Sequence, residues 1–453
     1  MSDSDATNKK LDFSFIKPLL EAEIVTVNET EIIRVGDTPL TMKEVMVAAL
    51  IGRLNVFLVG EAGSGKTQLL NDVMNVYFNG RGLDLRGSLD LDLKGLLTRM
   101  NLEKLYSGKG TTRDVEELSE QVGFLLALID ELNRCPPVIQ NQFFNITDGY
   151  IEFQGRKVYL GAQEDGIPYF VGLASGNMGD GVYTGTFAMD HALRDRLHLT
   201  LDTDFYFPTD EDVLDILTAD VQPRIKIADK SDKSEMIRNA YKMLSANKEG
   251  LHQIAHDHFD AWLAAWYLVS GLDYINVAAS IPASKRKLKN VYPDILVEKG
   301  SGSATDVLSY VKPFSIRGAE KTLSFAMALA AVVQAKTNGE YTLGWKEVLA
   351  AFELIVPYSG AIIPALYDKK EELYKHSCLA GQAVAEEVKK EFESQVTKFD
   401  ELSAIAIEGK LTDTDLTGLK DNWAFARRLL QRTNAVQIDK ITRGRTLTGV
   451  GNV

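Results

Sequence analysis

The chain has 453 residues, 45% of them apolar, and a formal net charge of −13. That length predicts two to four compact units, and the apolar share is enough to bury real cores, which excludes a globally disordered chain. The acidic balance disfavours non-specific binding to nucleic acid, no apolar run approaches the length of a membrane span, and two cysteines, Cys135 and Cys378, cannot make a disulfide framework and fit a reducing, cytoplasmic interior.

Residues 1–10 are polar and read as a frayed tail rather than a signal peptide. The pattern from Phe13 is mixed, with an amphipathic stretch from Thr41 to Ile51. Val56-Phe57-Leu58-Val59 is a short apolar run ending at glycine, the mark of a buried strand. A helix is predicted from Lys66 to Phe78, stopped by Asn79-Gly80, and Leu83 to Arg86 alternates like a second strand. Phe124 to Ile129 and Tyr169 to Ala174 are apolar on both faces, as central parallel strands are, and Leu197 to Leu201 alternates. Between them Tyr150 to Phe153 and Lys157 to Leu160 alternate around Gln154-Gly155-Arg156, which predicts a projecting hairpin. Strands separated by helical segments predict a parallel sheet covered on both sides. From Pro208 onward the spacing turns helical: Trp262 to Leu272, Ala319 to Ala335, Trp345 to Ile355, a long charge-rich helix from Asp368 to Phe399, and another from Leu416 to Thr433. The Thr/Gly-rich end after Asp439 reads as loose.

Gly60-Glu61-Ala62-Gly63-Ser64-Gly65-Lys66-Thr67 fits the phosphate-loop pattern G-x-x-x-x-G-K-[ST] at every fixed position, with a strand before it and a helix after. Glycines let successive backbone N–H groups curl around an anion without a Cβ clash. The following helix aims its positive end at the same phosphates. Lys66 can then reach the β- and γ-phosphates of a nucleoside triphosphate as a point charge, and the Thr67 hydroxyl can ligate Mg²⁺.

The next apolar strand closes on Asp130-Glu131-Leu132-Asn133-Arg134. Two carboxylates at a strand end can cap a helix. After a fitting phosphate loop they read instead as a Mg²⁺-holding Asp130 and a Glu131 that orients or deprotonates the attacking water. Ala174-Ser175-Gly176-Asn177 closes the strand after that. Neighbouring strand ends in an open parallel sheet share one crevice, so Asn177 is expected near the γ-phosphate, where an amide can position water. On its own, an Asn there is more often a turn residue.

Asp130-Glu131-Leu132-Asn133-Arg134-Cys135-Pro136 resembles the Asp-Glu-Ile-Asn-Arg-Ala-Pro signature of MoxR-type AAA+ ATPases, and the resemblance runs from about Ala48 to Phe207. It includes Leu91-Asp92-Leu93-Lys94-Gly95, and Thr147-Asp148-Gly149-Tyr150 leading into the hairpin, which is similar to the helix-2 insert of that clade with its tip facing a central channel. Asp190 to Leu197 is similar to the family's Ala-x-Leu-Asp-Arg-Phe stretch, which nominates Arg196, with Arg194 as competitor, as the finger acting on a neighbouring subunit's nucleotide. Pro313 to Ala319 is similar to the Ser-Pro-Arg motif and nominates Arg317, reaching back from a lid. The resemblance implies an α/β P-loop AAA+ nucleotide domain with a β-hairpin insert, followed by an α-helical lid and an α-helical C-terminal extension. The boundaries expected are an N-terminal segment over 1–40, the nucleotide domain over 41–207, the lid over 208–366 with an insertion at about 250–304, and the extension over 367–453. It further implies ATP and Mg²⁺ as cofactors, a homo-oligomeric ring of six subunits, and chaperone-like remodelling of a protein client, often one bearing a von Willebrand A domain. The alternative is a nucleic-acid-linked NTPase similar to the McrB type, for which Arg156-Lys157 at the hairpin tip is a modest basic supply. Departures from the family are Gly176 and Met178 in place of Gln and Pro beside the asparagine, about four residues added between Gly181 and Asp190, the insertion, and the tail after Tyr367.

Weaker signals read as structure. His252 and His256 share a helix face near His258, Asp257 and Asp260, but a strongly apolar stretch follows. Trp262, Trp266 and Tyr267 read as core, Cys135 as packing, and Lys285, Arg286, Lys287 and Lys289 as a solvated loop.

Overall fold

The computed structural model describes residues 11–24, 30–88, 95, 97–101, 106, 116–161, 167–177, 187, 189, 191–218, 230–249, 258–273 and 307–448. The Leu91 to Lys94 motif, Met178, most of the stretch from Gly181 to Asp190, the basic cluster, His252, His256 and the expected insertion apart from residues 258–273 lie outside them. The chain divides into two compact units, residues 1–257 with 324–355, and residues 258–323 with 356–453. Residues 11–24, 30–40, and the helical stretches up to 249 and over 324–355 fall in the same unit as the nucleotide domain.

The first unit is built on a five-stranded sheet. After a hairpin of β1 (Glu31–Val35) and β2 (Thr38–Thr41) come β3 (Val56–Val59), β4 (Leu83–Arg86), the antiparallel pair β5 (Thr98–Met100) and β6 (Glu116–Leu118), β7 (Leu126–Asp130), the hairpin β8 (Tyr150–Phe153) and β9 (Arg156–Tyr159), β10 (Val171–Gly176) and β11 (Leu199–Asp202). The central sheet runs β11-β3-β10-β7-β4, all parallel. Every residue of β3, β10 and β11 is buried, as is β7 up to Ile129, whereas β4 buries only Leu83 and Leu85. This is the pattern of a covered parallel sheet whose outer strand is β4.

Helix α1 (Met42–Ile51) starts with a capping box, the Glu44 carboxylate accepting from the Thr41 amide at 2.9 Å. The stretch expected to be amphipathic is buried nearly all round, because residues 11–22 also pack into this unit: the Phe13 amide donates to Gln334 Oε1 at 2.9 Å and the Tyr77 hydroxyl to Leu19 O at 3.0 Å. Helix α2 (Lys66–Phe78) has the predicted bounds and ends on Asn79 in the left-handed conformation. Helix α3 (Pro137–Thr147) follows the acidic strand. The hairpin turns on two residues, Gln154 (φ 51°) and Gly155 (φ 77°), so Arg156 pairs with Phe153 instead of forming part of the turn. It leaves from the end of α3, while β5 and β6, unexpected from sequence, form the pair between β4 and β7. Strand β11 does not alternate in burial, since α5 (Trp345–Ile355), following α4 (Ile316–Thr337) far along the chain, packs against it.

The second unit is helical. Its core is a set of rings in mutual contact: Phe259, Trp262, Trp266, Tyr267, Phe392, Phe399, Trp423 and Phe425. The predicted Trp262–Tyr267 run is therefore core. The long helix, α6 (Ser377–Ile407), begins well after Asp368, because Tyr374 (φ 48°) and Lys375 (φ 57°) take left-handed backbone that no helix continues through. The last helix, α7 (Ala424–Thr448), starts later than Leu416 and runs to Thr448, into the segment expected to be loose. Among the described residues no helix is long and apolar enough to cross a membrane.

Candidate nucleotide site

Parallel pairing sets Val59 beside Gly176 on one side and Asp202 on the other, and Asp130 beside Arg86, so the C-terminal ends of all five strands open on one edge. The loop from Gly60 to Gly65 sits at that edge between β3 and α2. Gly60 takes φ 149° and a Cβ there would lie 2.3 Å from Thr203 Oγ1. Gly65, at φ 82°, is the left-handed residue that launches α2. Lys66 is 8% exposed, and its ammonium donates to Gly60 O at 2.8 Å, Glu61 O at 2.6 Å and Ser64 Oγ at 3.1 Å. Burial pushes its pKa below the usual lysine value, while the fields of Asp204, Asp130, Asp202 and Glu131 oppose that shift.

Beside the lysine, Thr67 Oγ1 lies 3.2 and 3.3 Å from the two carboxylate oxygens of Asp130. Asp130 Oδ1 also accepts from the Ser175 hydroxyl, and the Ser175 oxygen in turn accepts from the Glu131 amide at 3.1 Å. Glu131 holds left-handed backbone at φ 54°, which turns its side chain off the strand, where it pairs with Arg134 at 2.9 Å. Gly87 makes that turn possible: its amide donates to Asp130 O at 2.7 Å, and a Cβ on it would lie 2.1 Å from Glu131 O.

Asn177 emerges from β10 on the same edge. Its carbonyl accepts from Asn133 Nδ2 at 2.6 Å and its amide donates to Asn133 Oδ1 at 3.4 Å, so a buried Asn133 fixes the backbone that carries it. A Cβ at Gly176 would meet the Phe57 ring at 2.8 Å and Asn133 Oδ1 at 3.0 Å, which accounts for glycine where the resembling family has glutamine.

Of the three candidate arginines, Arg196 and Arg194 belong to the same unit as the loop. Arg196 Nε donates to Asp148 Oδ2 at 3.0 Å, its Nη1 to Ala192 O at 2.9 Å, and its guanidinium lies 5.0 Å from the Phe144 ring centroid. Its carbonyl accepts from Asn55 Nδ2 at 3.0 Å, which places Arg196 by the start of β3, at the opposite end of the sheet from the phosphate loop. Arg194 Nε is buried with no hydrogen-bond partner among the described residues. Arg317 belongs to the second unit, exposed in the first turn of α4.

The structure thus brings together Gly60 to Thr67, Asp130, Glu131 and Asn177. Sequence reasoning missed Ser175, although it lies in a motif that had been singled out, and it missed Asn133, Thr203 and Asp204. The last two touch the loop only because β11 pairs with β3.

A phosphate loop with a buried lysine, a threonine against a strand-end aspartate and a glutamate beyond it, all on the open edge of a parallel sheet, defines a P-loop nucleoside triphosphatase. Residues 55–197 match the profile of the AAA domain, dynein-related subfamily, and the protein is an ATPase with the α/β P-loop AAA+ fold and a helical C-terminal part. No curated protein matches the chain. Among solved structures, a Cytophaga hutchinsonii protein provisionally described as an ATPase aligns at 14% identity over 77% of this chain and 88% of its own, with a TM-score of 0.43, too distant for its properties to carry over.

Proposed function

We propose that this chain is one subunit of a MoxR-like ring, six-membered by that resemblance, in which ATP is hydrolysed at the seams to remodel a protein client in the cytoplasm. The observation that carries the reading is the split between two ends of the sheet. Lys66, Asp130, Glu131 and Asn177 gather at one end, while Arg196 is anchored at the other by Asp148 and Asn55. An arginine so placed serves a neighbour's nucleotide and not its own.

In this mechanism the amides of Gly63 to Thr67 and the Lys66 ammonium bind the triphosphate, the lysine leaving the carbonyls of Gly60 and Glu61 for phosphate oxygens. The Thr67 hydroxyl and the Asp130 carboxylate are adjacent hard oxygen donors, a set that suits Mg²⁺, and would hold it. When bound, the ion neutralises charge on the β- and γ-phosphates. Glu131 takes the proton of the attacking water, and Asn177 orients that water. Arg196 of one subunit stabilises the charge developing on its neighbour's phosphoryl group, a contribution of roughly 10³–10⁵ in rate. By the same resemblance, residues 208–366 would act as the lid and bring Arg317 to the nucleotide.

Mixing Arg196→Ala subunits with Glu131→Gln subunits tests the reading. Each variant alone is expected to be nearly inactive, and mixtures are expected to recover turnover, because a wild-type Glu131 then meets a wild-type Arg196 across a seam. No recovery at any ratio removes the trans role. Stimulation of turnover by single-stranded or duplex nucleic acid would shift the client reading to the McrB-like alternative.

A further inference from the structure

The phosphate loop is held from the β11 side by a strap that neither the loop motif nor the acidic pair supplies. Strand β11 is in register with β3 through Asp202 and Val59, so the two residues after it run along the loop. The Thr203 hydroxyl donates to Val59 O at 2.9 Å and shares a 2.7 Å hydrogen bond with Ser64 Oγ. Asp204 Oδ2 accepts from the Glu61 amide at 2.6 Å. Asp202 Oδ1 accepts from the amides of Asp204 and Phe205 at 3.0 and 3.1 Å, which fixes the direction in which Asp204 projects. A Cβ at Gly60 would lie 3.0 Å from Asp204 Oδ1, so the carboxylate is packed directly on the loop. Of the carboxylates whose fields act on Lys66, Asp204 is the foremost, ahead of Asp130.

Asp130 has a cationic partner in its proposed role, the metal. Asp204 is assigned no metal and lies against the same loop, its Oδ2 accepting from the Glu61 amide. A carboxylate beside a polyphosphate site raises the free energy of the bound anion by Coulomb repulsion, and only partial screening is available next to a buried lysine. It also competes for the Lys66 charge. The hydrogen bond to Glu61 shapes the loop, whereas the charge opposes what the loop binds. A neutral acceptor would do the first without the second.

We propose that Asp204 is a positioning residue for the ATPase reaction that braces the phosphate loop through the Glu61 amide and, by its charge, holds nucleotide affinity down so that product leaves readily. The inference rests on the ATPase site described above and concerns affinity, not the chemical step.

The test is calorimetric titration of the full chain with Mg·ADP, and separately with the non-hydrolysable Mg·ATP analogue AMP-PNP, comparing wild type with Asp204→Asn, whose amide oxygen can still accept from Glu61. Tighter binding of both nucleotides by about tenfold is expected, with KM for ATP lowered in step and ADP release slowed. Asp204→Ala, which loses the brace as well as the charge, is expected to gain less than Asp204→Asn. A purely structural role predicts no gain in either variant, with affinity unchanged in Asp204→Asn and weakened in Asp204→Ala. Unchanged or weaker binding by a folded Asp204→Asn protein overturns the proposal. If that variant does not fold, Asp204→Ser is read in its place, and failure of both to fold also overturns it, since Asp204 would then be a folding residue. Absence of nucleotide binding by wild type would instead strike the site itself.

Discussion

The Ser175 hydroxyl donates to Asp130 and accepts from the Glu131 amide, so one side chain on β10 ties together the two acidic residues at the end of β7. Removing it leaves the Asp130 carboxylate one donor short and the Glu131 amide without its acceptor. Each loss is on the order of 1 kcal/mol. Ser175→Ala is expected to lower turnover about tenfold and to raise the Mg²⁺ concentration needed for half-maximal rate, with Ser175→Thr close to wild type. Steady-state phosphate release against Mg²⁺ concentration reads this, and an Ala variant with wild-type metal dependence would contradict it.

Glu131→Gln is expected to keep ATP affinity and lose about 10²–10⁴ in turnover, the usual range for a removed general base. The Glu131–Arg134 ion pair is exposed on both sides, and Arg134→Ala should shift stability by no more than about 1 kcal/mol. Nucleotide binding and single-turnover hydrolysis separate the two effects. Wild-type hydrolysis in the Gln variant would end the assignment of Glu131.

Gly60→Ala adds crowding to backbone strain, whereas Gly63→Ala brings backbone strain without such a clash within the same loop. At Gly60 (φ 149°) an added Cβ collides with Thr203 Oγ1 at 2.3 Å, whereas among the described residues nothing lies within 4 Å of one at Gly63, where the φ of 92° alone resists. Nucleotide binding is expected to be abolished in the first variant. In the second it should weaken by the equivalent of about 1–2 kcal/mol, the cost of a left-handed non-glycine residue. Equal losses would mean that the contact with Thr203 has no bearing on loop shape.

In the second unit, Trp423 is fully buried among rings while its Nε1 has no hydrogen-bond partner among the described residues. Trp423→Ala is expected to cost about 3–5 kcal/mol. Trp423→Phe is expected to cost much less, because it relieves an unsatisfied donor as it gives up area. Urea denaturation followed by far-UV circular dichroism gives both values, and a Phe variant as unstable as the Ala variant would show that the indole nitrogen has a partner.

Much of the site could be read from the residues alone because it is local. The phosphate loop and α2 are contiguous, Asp130 and Glu131 close one apolar run, and Asn177 closes the next. What could not be read depends on strand order. Burial of β11 and the contacts of Thr203 and Asp204 follow from its place beside β3, and nothing in the spacing of Leu199 to Asp202 encodes a neighbour. Helix ends were missed for a related reason. The break before Ser377 sits at Tyr374 and Lys375, residue types that do not announce left-handed backbone. Short, weakly apolar strands such as β5 and β6 carry too little periodicity to be seen.

The strap on the phosphate loop joins Glu61 to a carboxylate 143 residues further along the chain. During synthesis the glycine-rich turn and its helix leave the ribosome long before the strand that borders them. Contacts of such sequence separation form late and slowly. A nascent polypeptide therefore has the full fingerprint of a nucleotide binder well before it can hold the ligand in the mature way, and chaperones meeting it at that stage encounter an unframed loop.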